Sequence, residues 1–242
     1  MPHGGPDWGI AAPSSYVFPI VSWEDYFLRS GLTKTMDGNG DIIFFDSFEG
    51  GLSKWHQEAA GAIEHGRISA EHSRGGNWSA ELRVGAAGGS WRYLRATIPV
   101  DAPNRFGAEF NFTLPDLICH PQFQLYYHDF TYYYPFSIRY DGPGRDLQYW
   151  DETGAWVDFA TFTWERSPEY YFHPVKLVID ATKLEYVKFI ARGTEYDLTG
   201  KKTTATAQTA RRAIVPGYHW QNVTPIAKSS FLDDVIITTN EP

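Results

Sequence analysis

Cysteine is nearly absent from this chain: Cys119 is the only one in 242 residues. A single thiol rules out an intramolecular disulfide framework and any zinc site built from several thiolates. Its setting, Leu117-Ile118-Cys119, predicts a buried structural thiol rather than a nucleophile. Long apolar runs are missing too. No stretch approaches the roughly 18 residues that span a bilayer as a helix, so no membrane insertion is expected. Basic clusters are also lacking. The 21 Lys and Arg are scattered, pairs such as Lys201-Lys202 and Arg211-Arg212 are the densest groupings, and the formal net charge is −8. A phosphate backbone needs a clustered cationic surface, so nucleic acid is not an expected partner. The eight histidines include no i, i+2 or i, i+4 pair, which leaves a His-based metal centre unsupported. No Gly-x-Ser-x-Gly elbow and no phosphate loop occur.

What the chain has in abundance is aromatic residues: 9 Trp, 15 Tyr and 16 Phe, 17% of the total. Tyr and Trp join an apolar body to a polar tip, which suits half-buried sheets and contact surfaces. Residues 1–40 differ from the rest. Gly, Pro and Ser dominate residues 1–15, and one short helix signal follows: Ser22 as N-cap, Asp25 three residues on, Trp23, Tyr26 and Phe27 as an apolar stripe, Gly31 as a stop. This stretch reads as an arm. Its first residues, Met1 to Trp8, show neither a basic n-region nor an apolar h-region. The expectation is a chain cytoplasmic when synthesised that acts at a virion or extracellular surface.

Beyond residue 40 the signal changes to strands and turns. Asp37-Gly38-Asn39-Gly40-Asp41 is a tight turn leading into Ile42-Ile43-Phe44-Phe45. It begins like a calcium loop, but Phe48 stands where the closing Glu is needed, so a plain turn is expected. Strand candidates follow at 62–70, 78–84, 91–99, 105–113, 122–128, 136–140, 146–150, 156–159, 174–180, 185–191, 194–198 and 230–238. Turns such as Arg74-Gly75-Gly76-Asn77 and Asp141-Gly142-Pro143-Gly144 separate several of them. The Thr- and Ala-rich residues 199–210 read as a loop. Many short strands with glycine turns predict an all-β protein: an antiparallel jelly-roll β-sandwich over 41–242 behind an N-terminal arm, 1–40, with one short helix.

Three segments carry a resemblance. Phe45-Asp46-Ser47-Phe48-Glu49 with Trp55 resembles the opening strand and turn of jelly-roll carbohydrate-binding modules and of laminin-G and concanavalin-like domains. Arg74 to Val84 resembles their next turn and strand, and Phe231-Leu232-Asp233-Asp234-Val235-Ile236-Ile237 their closing strand. Phe172 to Asp180, followed by Tyr186 to Phe189, is similar to a central hairpin of the concanavalin-like set. The resemblance implies that first and last strands meet. Many such modules hold a structural calcium there, for which Asp46, Glu49, Asp233 and Asp234 would supply hard oxygens. The plainer alternative is that the two aspartates are an exposed and a hydrogen-bonded member of one strand.

Eight aromatic residues crowd between Phe123 and Phe136, followed by Tyr149, Trp150, Trp156 and Trp164. Alternate members of a strand must face the core. The others suit a platform for sugar rings or an anchor for a protein partner, and the candidates for ligand binding are Tyr132, Tyr134, Trp150 and Trp156. Catalysis is not expected. A glycosidase needs two carboxylates held close together, whereas Asp151-Glu152 lies at a turn and Glu165, Glu169 and Asp180 are isolated. Glu81-Leu82-Arg83 is similar to a strand of jelly-roll alginate lyases, without that family's companion motifs. Two functions remain. One is a non-catalytic component of a larger assembly, a virus or phage particle, with protein partners and a homo-oligomeric state. The alternative is a carbohydrate-binding module or lectin with a glycan partner.

Overall fold

The computed structural model describes residues 36–61, 63–164 and 171–242. The helix expected at Ser22–Gly31 and residues 1–35 of the arm lie outside the described residues. Thr35–Pro242 forms one compact unit, an antiparallel β-sandwich. One sheet contains β1 (Asp41–Asp46), β3 (Ile63–Ser69), β4 (Ser79–Val84), β7 (Arg105–Thr113), β12 (Phe172–Asp180), β13 (Glu185–Ala191), β14 (Thr194–Asp197) and β17 (Lys228–Thr239). The other contains β2 (His56–Ala60), β5 (Trp91–Arg95), β6 (Ile98–Pro99), β8 (Cys119–His128), β9 (Tyr132–Asp141), β10 (Asp146–Trp150), β11 (Trp156–Thr161), β15 (Thr206–Ala207) and β16 (Ala213–Asn222). The spatial order of the first is β14-β13-β12-β7-β17-β4-β3, with β1 also paired to β17. The second runs β11-β10-β9-β8-β16-β5-β2, with β15 on β9 and β6 on β16.

Alternation decides what fills the space between the sheets. In β8, Phe123, Leu125 and Tyr127 point inward. In β9 it is Phe136, Ile138 and Tyr140, and in β7 Phe106, Phe110 and Phe112. Phe112 lies 4.8 Å from Phe123 and 5.3 Å from Trp164, ring centre to ring centre. Each such buried ring contributes roughly 1.5–3 kcal/mol of hydrophobic stabilisation. Cys119 is buried as expected, and burial together with the Asp116 carboxylate pushes its thiol up to about 12.

The sequence reading missed β2 and β16. Pro216-Gly217 inside β16 reads as a turn, because proline cannot donate to a ladder. In the fold, Pro216 sits where the edge partner of β16 changes from β5 to β6, so the ladder is already interrupted there. Gly217 is required by close approach: a Cβ at that position would meet the Tyr93 ring. Residues 199–210 are not wholly loop, since β15 pairs Thr206 with Tyr133.

The opening and closing strands do meet, with Asp46 opposite Val235 in the β1–β17 pairing. On the outer face of the same sheet a buried ion cluster joins the N-terminal edge of the sandwich to its C-terminus. Lys176 Nζ lies 2.6 Å from Asp37, 2.8 Å from Glu241 and 3.3 Å from Glu109. Met36 donates its backbone N–H to the Glu109 carboxylate at 2.8 Å, and Lys188 Nζ reaches Asp37 at 3.4 Å. Burial alone would raise the Asp37 carboxyl, but hydrogen bonds from Lys176 and Asn39 outweigh it and hold the group at about 2. Burial dominates at Glu109, which rises to about 6 despite Lys176.

Candidate functional site

The outward-facing side chains of the second sheet line a groove of about 700 Å³. The strand register builds its floor. Across neighbouring strands, Tyr93 lies opposite His219, His219 opposite Gln122, Gln122 opposite Arg139, Arg139 opposite Gln148, and Gln148 opposite Asp158. The next row sets Gly217 against Gln124 and Gln124 against Ser137. A polar outer face is what strict alternation demands once Phe123, Leu125, Phe136 and Ile138 have turned inward.

Aromatic rings rim this floor. Trp150 and Trp156 meet edge to face at 5.2 Å at one end, and Trp91 lies 5.2 Å from the His219 ring at the other. Tyr126 and Tyr133 stack at 5.8 Å along one side. Thr204, Ala205 and Thr206 close a wall, and the Trp150 indole N–H donates to Thr204 Oγ1 at 3.4 Å. Trp91 on β5 and Trp156 on β11 are five strand spacings apart, about 24 Å along the sheet at ~4.8 Å per spacing.

Several floor atoms have hydrogen-bonding capacity left over. Gln124 donates to Gln122 at 3.4 Å, but its own buried carbonyl oxygen has no partner among the described residues, and neither has His219 Nδ1. Buried polar atoms are normally satisfied, so an orphan facing a cavity marks a place for a ligand or water. Burial, assisted by His120, lowers His219 to about 4, so the imidazole is neutral near pH 7 and offers one donor and one acceptor. Asp158 ends the outer row on the edge strand β11, and no Asp or Glu is among the described residues that line the cavity itself.

Of the four residues expected to bind a ligand, Trp150 and Trp156 line the groove. Tyr132 and Tyr134 do not. Tyr134 is 9% exposed and packs in the core with Tyr127, its hydroxyl donating to Asp129 at 3.1 Å. Tyr132 is exposed at the start of β9 and shares the parity of Tyr134. The even-numbered residues of β9 carry the core, and Tyr133, Pro135, Ser137 and Arg139 take the groove. Gln122, Gln124, Arg139 and His219 also line the groove and carry no aromatic-cluster signal in the sequence. The alternation Gln122-Phe123-Gln124-Leu125 was the signal available. Trp164 is wholly buried. Glu81-Leu82-Arg83 lies on β4, in the other sheet.

The four carboxylates expected to hold calcium each have protein partners. Asp46 accepts the Phe48 N–H at 2.9 Å and the Trp55 indole N–H at 2.7 Å, which locks the turn in which Phe48 takes a positive φ of 62°. Glu49 accepts from the backbone of Asn77 and Trp78 at 2.6 and 2.9 Å. Asp233 accepts from the backbone of Arg74, Gly75 and Asp234, and Asp234 pairs with the Arg74 guanidinium at 3.0 Å. Among the described residues no group of three or more His, Cys, Asp or Glu is placed to hold a metal ion. Glu49, Asp233 and Asp234 form a hydrogen-bonded clasp on the 74–78 turn.

Asp233 makes that clasp sensitive to pH. Burial, then the neighbouring Asp234 carboxylate, raises it to about 7 from a reference of 3.8. The folded protein therefore keeps a proton between about pH 4 and 7 that the unfolded chain has lost. Stability from this group is present below that window and is lost as pH rises through it. We expect the stability of the wild type relative to Asp233→Asn to fall over this range, on the order of a few kcal/mol. Urea unfolding of both proteins at each pH measures it, and a constant difference would contradict it.

No protein-family model matches the sequence, and no curated protein does. Solved structures do match. A protein of unknown function with a galectin-like fold from Bacillus subtilis superposes with a TM-score of 0.55 at 10% identity, covering 83% of this chain and 97% of its own. An immunostimulatory antigen and pseudo β-1,3-glucanase of Mycobacterium tuberculosis gives 0.48 at 14% identity, covering 84% and 100%. TmCBM61 in complex with β-1,4-galactotriose gives 0.39 at 10% identity, covering 80% and 94%. At these identities the likeness is one of fold, and the fold is that of the galectin-like β-sandwiches.

Proposed function

We propose that this protein is a non-catalytic carbohydrate-binding sandwich that holds a saccharide in the groove of the second sheet. The observation that carries the reading is the pairing of surfaces. Tryptophan faces at Trp150, Trp156 and Trp91 match the apolar C–H faces of sugar rings. The unpaired polar atoms of Gln124 and His219 match their hydroxyls. A mostly preformed concavity with a few converging polar groups is the usual form of a small-ligand site. The described residues lining the cavity are chiefly aromatic, amide, hydroxyl and basic side chains, which favours binding over hydrolysis by a close carboxylate pair.

A glycan array probed with and without calcium tests the reading. Binding to at least one saccharide, with no new reducing ends released from it, is the expected result. A blank array under both conditions would overturn it. The virion reading and its protein partners have no comparable observation in their favour. The exposed large apolar residues, Ile43, Trp78, Phe130, Tyr132, Tyr171, Val223 and Ile226, come one or two at a time from separate segments rather than from a single strand face.

A further inference from the structure

Arg139 is a half-buried cation in a cavity with no Asp or Glu among the described residues that line it. Two contacts fix its guanidinium. Nε donates to Gln148 Oε1 at 2.6 Å, and the group lies over the Trp156 ring, 4.4 Å from its centre. Stacking of this kind orients the planar fork and leaves its edge available for bidentate hydrogen bonds. The two carboxylates whose fields reach it, Asp141 and Asp158, form no salt bridge with it, and Asp158 reaches it only through Gln148. Asp158 accepts from Gln148 Nε2 at 2.6 Å, and Asp141 Oδ1 lies 2.8 Å from His120 Nε2.

The chain carries 29 acidic residues against 21 basic ones, yet none of the described acids forms a salt bridge with Arg139. Charges withdrawn from water are normally paired. The guanidinium fork beside the Trp156 face thus has no salt-bridge partner among the described residues. Gln122, on the floor directly opposite Arg139 in the β8–β9 register, stands where the hydroxyls of that ring would be read.

We propose that the groove takes an acidic saccharide, with Arg139 binding the carboxylate of a uronate-type sugar while Trp156 and Trp150 stack on its ring. This rests on the saccharide-binding reading above and narrows it to a substrate class.

The test uses matched pairs of oligosaccharides on galacturonan, glucuronan and mannuronan backbones, each as the free acid and as its methyl ester. Calorimetric titration of the intact protein is expected to show the acid of at least one pair binding roughly tenfold or more tighter than its ester, as a charge-assisted hydrogen bond requires. Arg139→Gln should erase that preference, and Arg139→Lys should restore part of it. Equal binding of acid and ester would overturn the proposal, as would binding of neutral saccharides alone. In either case the saccharide-binding reading still stands. Failure of every saccharide, acidic or neutral, would remove both. The acid-to-ester comparison on the wild type decides the question even where a variant folds poorly.

Discussion

Replacing Trp150 and Trp156 together with alanine is expected to weaken saccharide binding by at least about thirtyfold, the loss of roughly 2 kcal/mol or more that aromatic anchors at recognition sites usually carry. The two rings form the end wall of the groove and brace one another at 5.2 Å. Trp156 also supports the Arg139 guanidinium at 4.4 Å. Both are only partly buried and stand on the outer face of their sheet, so removing them opens no cavity in the core. Folding should survive, with a melting temperature within a few degrees of the wild type. Titration measures the affinity and thermal denaturation the fold. Unchanged affinity in the double variant would place the ligand elsewhere on the molecule.

The second large effect lies on the opposite sheet and concerns stability. Lys176→Met is expected to destabilise the sandwich by about 3–5 kcal/mol, the usual result of leaving buried charges without their partner. Lys176 is fully buried and touches three carboxylates, Asp37, Glu109 and Glu241. Without it, Glu109 loses its principal compensation, and its carboxyl, already raised to about 6 by burial, rises further. A carboxyl raised in the folded state supplies stability that is present at low pH and lost as pH rises. The gap between variant and wild type should therefore be smaller at pH 5 than at pH 8. Adding Glu109→Gln should recover part of the loss. Urea unfolding at the two pH values checks both statements, and a pH-independent deficit would show that packing rather than charge holds this corner.

Much of this architecture was legible in the chain. The many short strand candidates, the glycine turns and the Asp46–Trp55 segment led to an antiparallel sandwich, and the hairpin expected from Phe172 to Phe189 is the β12–β13 pair. Two features were hidden for physical reasons. Proline and glycine in β16 disguised a central strand, because a local rule against Pro216 gave way to a break in the neighbouring edge. Tyr132 and Tyr134 share the core parity of β9, while Tyr133 and Arg139 take the groove face. A one-residue slip sends every side chain of a strand to the other face. The run Tyr134, Phe136, Ile138, Tyr140 against Tyr133, Pro135, Ser137, Arg139 shows which face carries the core. The groove itself needs seven strands in register, and no stretch of sequence contains that information.

The indole N–H signals of the nine tryptophans give the most direct test of where a saccharide sits. In a two-dimensional nuclear magnetic resonance titration with a saccharide that binds, the signals of Trp91, Trp150 and Trp156 are expected to shift. Those of Trp55, Trp164 and Trp220, which lie in the core, should stay in place. Saturable shifts confined to tryptophans outside the groove, or a binding ligand that moves none of the three groove signals, would contradict the account.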